Sequence, residues 1–294
     1  MQEQARWFGK GVAFVAIILW SLSVSLTWGC GSSGSDSSLS SMKELEALCE
    51  RLLQCIPELE ALFSSEAVSC PEFFYVGERV SRVDQSTDTK VEGAIFNCIK
   101  NASDCNAMKA CGKATTEQAK VCPDTGWIRR CAGDILVECD GSAQPDAFDC
   151  AGGGLHCYQF EFGANCGEAS CSPETMKTVC DGDVIKSCED GALVLKDCRW
   201  RKSISCSFDE NGSWCVMHAG GTCAVNSYGK ADCVGTGPAC DEKTFNAYCD
   251  GPVIVTCVGG KEARLDCSAI DSALTCKKVT KNNRELLDCR LSGS

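Results

Sequence analysis

The sequence predicts small disulfide-rich modules: an α-helical N-terminal domain followed by three β-meander, Cys-rich repeats. Three observations carry this expectation. The chain holds 27 Cys in 294 residues, a density that belongs to crosslinked, exported scaffolds. From Met42 onward apolar side chains recur with helical spacing. After Lys120 the texture changes to short β-branched runs broken by Asp-Gly and Gly-Gly, and one cysteine pattern recurs three times.

Composition narrows the setting. Free thiols at this density would oxidise or capture metal, so an oxidising compartment is the economical reading. Zinc sites use Cys pairs two to four residues apart, and the closest neighbours here are Cys166 and Cys171, so no metal site is expected. A net charge of −12 argues against a nonspecific electrostatic grip on nucleic acid or on an anionic bilayer. Aromatic residues make up 7% and Met only 5 positions, too few large side chains for a conventional core, so crosslinks must substitute for buried area.

The first element, residues 1–29, has a signal-peptide layout: Arg6 and Lys10, then an uncharged stretch over 11–29, then Cys30 and a Gly/Ser run. The junction Leu26-Thr27-Trp28-Gly29-Cys30 resembles the bacterial lipoprotein signal, in which a small residue precedes a Cys that becomes the lipidated N-terminus. Gly29 fits that pattern, whereas Thr27 and Trp28 depart from it. The resemblance implies lipid on Cys30 and attachment to a membrane through it. Cleavage within the Ser/Gly run and an uncleaved anchor are the competing outcomes, and all three export the remainder. Setting Cys30 aside leaves an even number of cysteines. Residues 30–41 read as a flexible Gly/Ser tether.

Residues 42–118 form the helical domain. Leu45, Leu48, Leu52 and Leu53 share one helix face, Ser41 with Glu44 makes a capping-box pattern, and Pro57 kinks or restarts the helix. Further helices are expected near Val91–Ile99 and Asp104–Ala110, with inter-helix bridges among Cys49, Cys55, Cys70, Cys98, Cys105 and Cys111 whose connectivity stays open.

The repeats occupy 119–170, 171–222 and 240–294, with 223–239 as a loop insert. Their cores, beginning at Cys122, Cys171 and Cys240, follow C-x8-C-x7-C-x9/10-C, and each ends in Asp-Cys. Gly133, Gly182 and Gly251 align after the second Cys. In the second copy, strands are expected over Met176–Val179, Val184–Cys188 and Leu193–Cys198, with turns at 180–183 and 189–192. A tight second turn returns Cys198 beside Cys180, so the expected bridges are Cys180–Cys198 and, by alignment, Cys131–Cys150 and Cys249–Cys267. The pair left in the insert, Cys223–Cys233, is expected to close its own loop. The cores C-A-G-D-I-L-V-E-C and C-D-G-D-V-I-K-S-C resemble the C-x-G-[DN]-x-[VIL]-x-x-C repeats of Cys-rich surface lipoproteins of myxobacteria and related delta-type bacteria. That resemblance implies location and fold style, and no reaction.

Chemistry is sparse. Neither His156 nor His218 lies in a nucleophile or metal motif, no G-x-S-x-G occurs, and no cofactor motif is present. Arg199, Trp200, Arg201 and Lys202 form a basic, aromatic run in an acidic chain, a candidate binding edge for an acidic partner or a glycan. The leading expectation is a non-catalytic lipoprotein of the outer membrane or cell surface that binds an envelope protein or a polysaccharide. The alternative is an envelope hydrolase using carboxylates such as Asp181, Asp183 and Glu189.

Overall fold

The structure, a computed structural model, describes residues 39–65, 68–123, 127–161, 163–200, 202–209, 212–226, 229–281 and 284–293, with backbone alone at 62, 64, 65, 202–209, 212–218, 281 and 284. Cys30 and the uncharged stretch before it lie outside the described residues. Among the described residues no helix is long and apolar enough to cross a membrane.

Among the described residues six helices come first. α1 (Met42–Cys55) starts in the expected capping box, the Ser41 hydroxyl accepting from the Glu44 N–H and the Glu44 carboxylate from the Ser41 N–H. It stops before Pro57, and α2 (Glu58–Ser65) begins after it. α3 (Cys70–Val83) follows Ser69 as N-cap with Pro71 in its first turn, and α4 (Thr87–Asn101) begins a turn earlier than the expected Val91. Asp104 caps α5 (Cys105–Ala110) by accepting from the Asn106 and Ala107 N–H groups, and α6 (Thr116–Ala119) is one turn. Leu45, Leu48 and Leu52 bury against Leu59, Phe73, Phe74, Phe96 and Met108. Cys49–Cys70, Cys55–Cys105 and Cys98–Cys111 tie these helices together.

α3 is absent from the sequence reading, although its polar and apolar residues segregate as strongly as those of α1. It is covered on more than one side, Phe73 and Phe74 by the helical core and Val76 and Val80 by the C-terminal strands. Even Glu72, Glu78 and Arg79 are buried there.

After the helices, the described residues form three three-stranded antiparallel sheets and four two-stranded hairpins. The first sheet contains β1 (Ile128–Ala132), β2 (Ile135–Cys139) and β3 (Asp146–Asp149), followed by the hairpin β4 (His156–Gln159) and β5 (Ala164–Gly167). The second contains β6 (Val179–Asp181), β7 (Val184–Glu189) and β8 (Ala192–Asp197), followed by the hairpins β9 (Lys202–Asp209) with β10 (Gly212–Ala219) and β11 (Thr222–Val225) with β12 (Ala231–Val234). The third contains β13 (Tyr248–Asp250), β14 (Val253–Val258) and β15 (Lys261–Asp266), then the turn α7 (Cys267–Ile270) and the hairpin β16 (Leu274–Lys281) with β17 (Arg284–Leu291). Each sheet keeps its strands in chain order, so each is a meander.

The first turn of every meander is two residues long, and Gly133, Gly182 and Gly251 sit there at φ +65°, +59° and +59°. The residue after each glycine keeps a negative φ, the pattern of a type II′ turn, whose first position excludes side chains. In the second copy the first strand runs over 179–181 rather than 176–179, which moves the turn to Gly182-Asp183.

The expected bridges do not form. Cys131 bonds Cys157, Cys150 bonds Cys166, Cys180 bonds Cys223, Cys198 bonds Cys233, Cys249 bonds Cys276 and Cys267 bonds Cys289. The meander itself forbids Cys180–Cys198, Cys131–Cys150 and Cys249–Cys267. Its first and third strands flank the middle one, about 9.6 Å apart, whereas a bridge needs Cα atoms within about 7 Å. The observed Cα separation for Cys180–Cys223 is 5.5 Å. Cys223 and Cys233 do face one another across β11 and β12, but both side chains then share one face of the ribbon and reach across to the meander. The same holds for Cys157 with Cys166 and Cys276 with Cys289. Each sheet also closes its first and third cysteines: Cys122–Cys139, Cys171–Cys188 and Cys240–Cys257.

This reverses the reading of 223–239. β11 and β12 are the second meander's crosslinked hairpin, and β9 with β10 is the insertion. Cys206 and Cys215 are register partners in that insertion, and their side chains lie outside the described residues.

Successive units are joined by backbone. Gly112 and Ala114 exchange hydrogen bonds with Ala147 and Pro145; Glu168 and Ala169 pair with Leu193; Gly237 and Pro238 pair with Glu262. The segment leaving one unit thus adds to the third strand of the next. Gly235 permits the closest approach, since a Cβ there would lie 2.2 Å from the Glu262 carbonyl oxygen.

Candidate recognition surface

The run Arg199–Lys202 leaves β8 where it meets the helices. Ser86, Thr87 and Asp84 surround the start of α4. The Ser86 hydroxyl accepts from the Asp197 N–H at 3.0 Å and the Thr87 hydroxyl from the Leu195 N–H at 2.8 Å. Asp197 is fully buried, and its carboxylate takes both Nε and Nη2 of Arg199, at 3.0 and 2.7 Å. Those hydrogen bonds hold the Arg199 guanidinium above its ordinary pKa. Burial pushes the Asp84 carboxyl up, against the lowering by Ser86 and Thr89 hydrogen bonds. Trp200 is half-buried against the core that Val76, Val80, Ile254 and Leu274 share. Arg199 and Trp200 therefore take part in the junction between helices and sheets, with the Arg199 side chain 40% exposed. Arg201 lies outside the described residues, as does the side chain of Lys202, whose backbone opens β9.

Of the three candidate carboxylates, Asp181 and Asp183 lie at one turn and Glu189 stands apart. Asp181 pairs with Lys186 at 2.5 Å; Asp183 accepts from the Thr222 hydroxyl and lies 4.0 Å from Arg199. Glu189 stands at the far end of β7, accepting from Ser187 at 3.0 Å and pairing with Lys196. The six residues of β7 separate it from the turn carboxylates by roughly 16 Å. His156 opens β4 with Nδ1 3.3 Å from an Asp134 carboxylate oxygen, both exposed.

A second cluster ties down the start of the body. Ser40 is buried, its N–H and hydroxyl donating to Glu78 at 2.9 and 2.6 Å, while Lys100 reaches both Ser40 and Glu78. Arg79 lies 3.2 Å above the Tyr75 ring and bonds Asp271 at 2.8 Å. Burial raises the Asp271 carboxyl, but the Ala273 N–H and Arg79 outweigh it and hold the group below its usual range. Leu39–Ser41, read from sequence as the end of the tether, is thus part of the folded body.

The open surface is elsewhere. Trp127 (63% exposed), Val179 (43%) and Tyr248 (45%) are exposed large apolar residues, and each stands at or one residue before the start of a meander's first strand. Each has an ion pair in the same sheet: Arg129–Glu138, Lys186–Asp181 and Arg264–Asp250. Sequence reasoning missed these residues, although Trp127 and Phe245 align four positions before the second cysteine of their copies. No protein family, curated sequence or solved structure matches the chain.

Proposed function

We propose that the protein is a non-catalytic, disulfide-stabilised binding or display module, exported and held at the outer membrane or cell surface by lipid on Cys30. The observation that carries this reading is covalent: among the described residues twelve bridges pair 24 cysteines, a state that an oxidising compartment sustains. Three copies of one crosslinked module, arranged around a helical hub, favour a rigid display body over a linear stalk.

The test is twofold. Intact mass of protein from the membrane fraction, before and after reduction, should show acylated Cys30 as the first residue and a mass gain matching complete pairing. Oxidised ectodomain should bind envelope material and reduced ectodomain should not. Equal binding by both forms contradicts a folded recognition surface.

A further inference from the structure

We propose that the first and third meanders each carry a stacking platform for a neutral polysaccharide, which rests on the binding reading above and names its ligand class. On the first, Trp127 stands beside Arg129, whose guanidinium carbon is 5.6 Å from the ring centroid and which pairs with Glu138 at 2.5 Å. On the third, Phe245 and Tyr248 have centroids 6.3 Å apart, and Arg264 pairs with Asp250 nearby. Tyr248, Val255 and Arg264 are register neighbours across three strands, so their side chains share one sheet face. Val255 is fully buried there while Tyr248 and Arg264 stay open.

The chemistry selects the ligand. An aromatic ring offers its face to the C–H side of a pyranose. A planar guanidinium and a carboxylate alongside supply donors and acceptors suited to neighbouring hydroxyls. Each Arg–carboxylate pair is neutral as a unit, and the chain carries a charge of −12, so a polyanion is repelled and a neutral glycan is not. The second meander has an ion pair at other register positions, Lys186–Asp181, with Val179 where the third has Tyr248 and Leu195 where the third has Arg264. Those aliphatic side chains leave two platforms rather than three.

Affinity electrophoresis of the oxidised full-length protein through gels containing laminarin, dextran or pullulan, with alginate as the polyanion, tests this. At least one neutral polysaccharide should retard the protein, and alginate should not. Trp127→Ala and Tyr248→Ala should each weaken retention about tenfold and together abolish it, whereas Trp127→Phe and Tyr248→Phe keep most of it. Val225→Ala, at an exposed apolar residue away from the platforms, should leave it unchanged. Both rings are exposed, so unaltered circular dichroism and non-reducing mobility are expected of every variant. Absence of retardation by all three neutral polysaccharides, retardation by alginate alone, or wild-type retention in the double Ala variant overturns the proposal. Capture of an envelope protein that the double Ala variant still binds would leave the display reading standing and remove this one. Equal retention of oxidised and reduced protein would remove both.

Discussion

Replacing Cys180 and Cys223 together by Ser removes the bridge that fastens the second meander to its hairpin. The bridge closes a separation of 43 residues, for which the chain-entropy relation assigns about 4 kcal/mol. Cys198–Cys233, with a separation of 35, lies across the same loop and leaves a shorter covalent path. That path lowers the expected loss to roughly 3.5 kcal/mol. For a body of this size each kcal/mol moves the melting midpoint by about 2–4 °C, so calorimetry without reductant should show a fall of roughly 7–14 °C. The single variant Cys180→Ser carries the topological half of the test, since alkylation and peptide mass analysis should then find its new free thiol at Cys223. A label at Cys198, or a double variant that loses less than ~1 kcal/mol, refutes the pairing and the reasoning from strand spacing.

Other expectations follow from the same structure. Burial, with Asp88 and Asp84 nearby, holds the Glu92 carboxyl well above its ordinary 4.5 and leaves Oε2 without a hydrogen-bond partner. Its folded value exceeds the unfolded one, so its contribution declines as pH rises from the usual glutamate range through the folded value. Glu92→Gln should raise the melting temperature at neutral pH and flatten its pH profile; a lower midpoint at neutral pH contradicts the assignment. Ile254→Ala, at a fully buried position in the core shared by α3 and the third meander, should cost about 2–5 kcal/mol in denaturant unfolding. Gly182→Ala, at φ +59°, should cost about 1–2 kcal/mol, and an unchanged midpoint would exclude the type II′ turn.

Local patterns were the legible part. The Ser41 capping box, the stop at Pro57, the buried stripe of Leu45, Leu48 and Leu52, and the three meanders all rest on spacing within about ten residues, where backbone geometry alone decides. Long-range pairing was not legible. Cys206 follows Cys198 about as closely as Cys157 follows Cys150 and Cys276 follows Cys267, so spacing favoured the inserted hairpin over Cys223. Only the cross-strand distance in a meander excludes the short loops, and it acts through three dimensions. α3 was legible in principle, since its polar and apolar residues segregate as strongly as those of α1, whereas Arg199 looked free because its partner Asp197 is fully buried only once β8 docks on α4. Tyr248 and Arg264 gave no motif, since their relation lies across strands.

Peptide mapping of the unreduced, alkylated protein by mass spectrometry tests most directly whether covalent ties stand in for a large apolar interior. The expected bridges are Cys122–Cys139, Cys131–Cys157 and Cys150–Cys166 in the first unit and the equivalent triplets Cys171–Cys188, Cys180–Cys223, Cys198–Cys233 and Cys240–Cys257, Cys249–Cys276, Cys267–Cys289 in the others, with little alkylation. Extensive labelling of those sulfurs, or bridges joining the register partners Cys157–Cys166, Cys223–Cys233 and Cys276–Cys289, would contradict it.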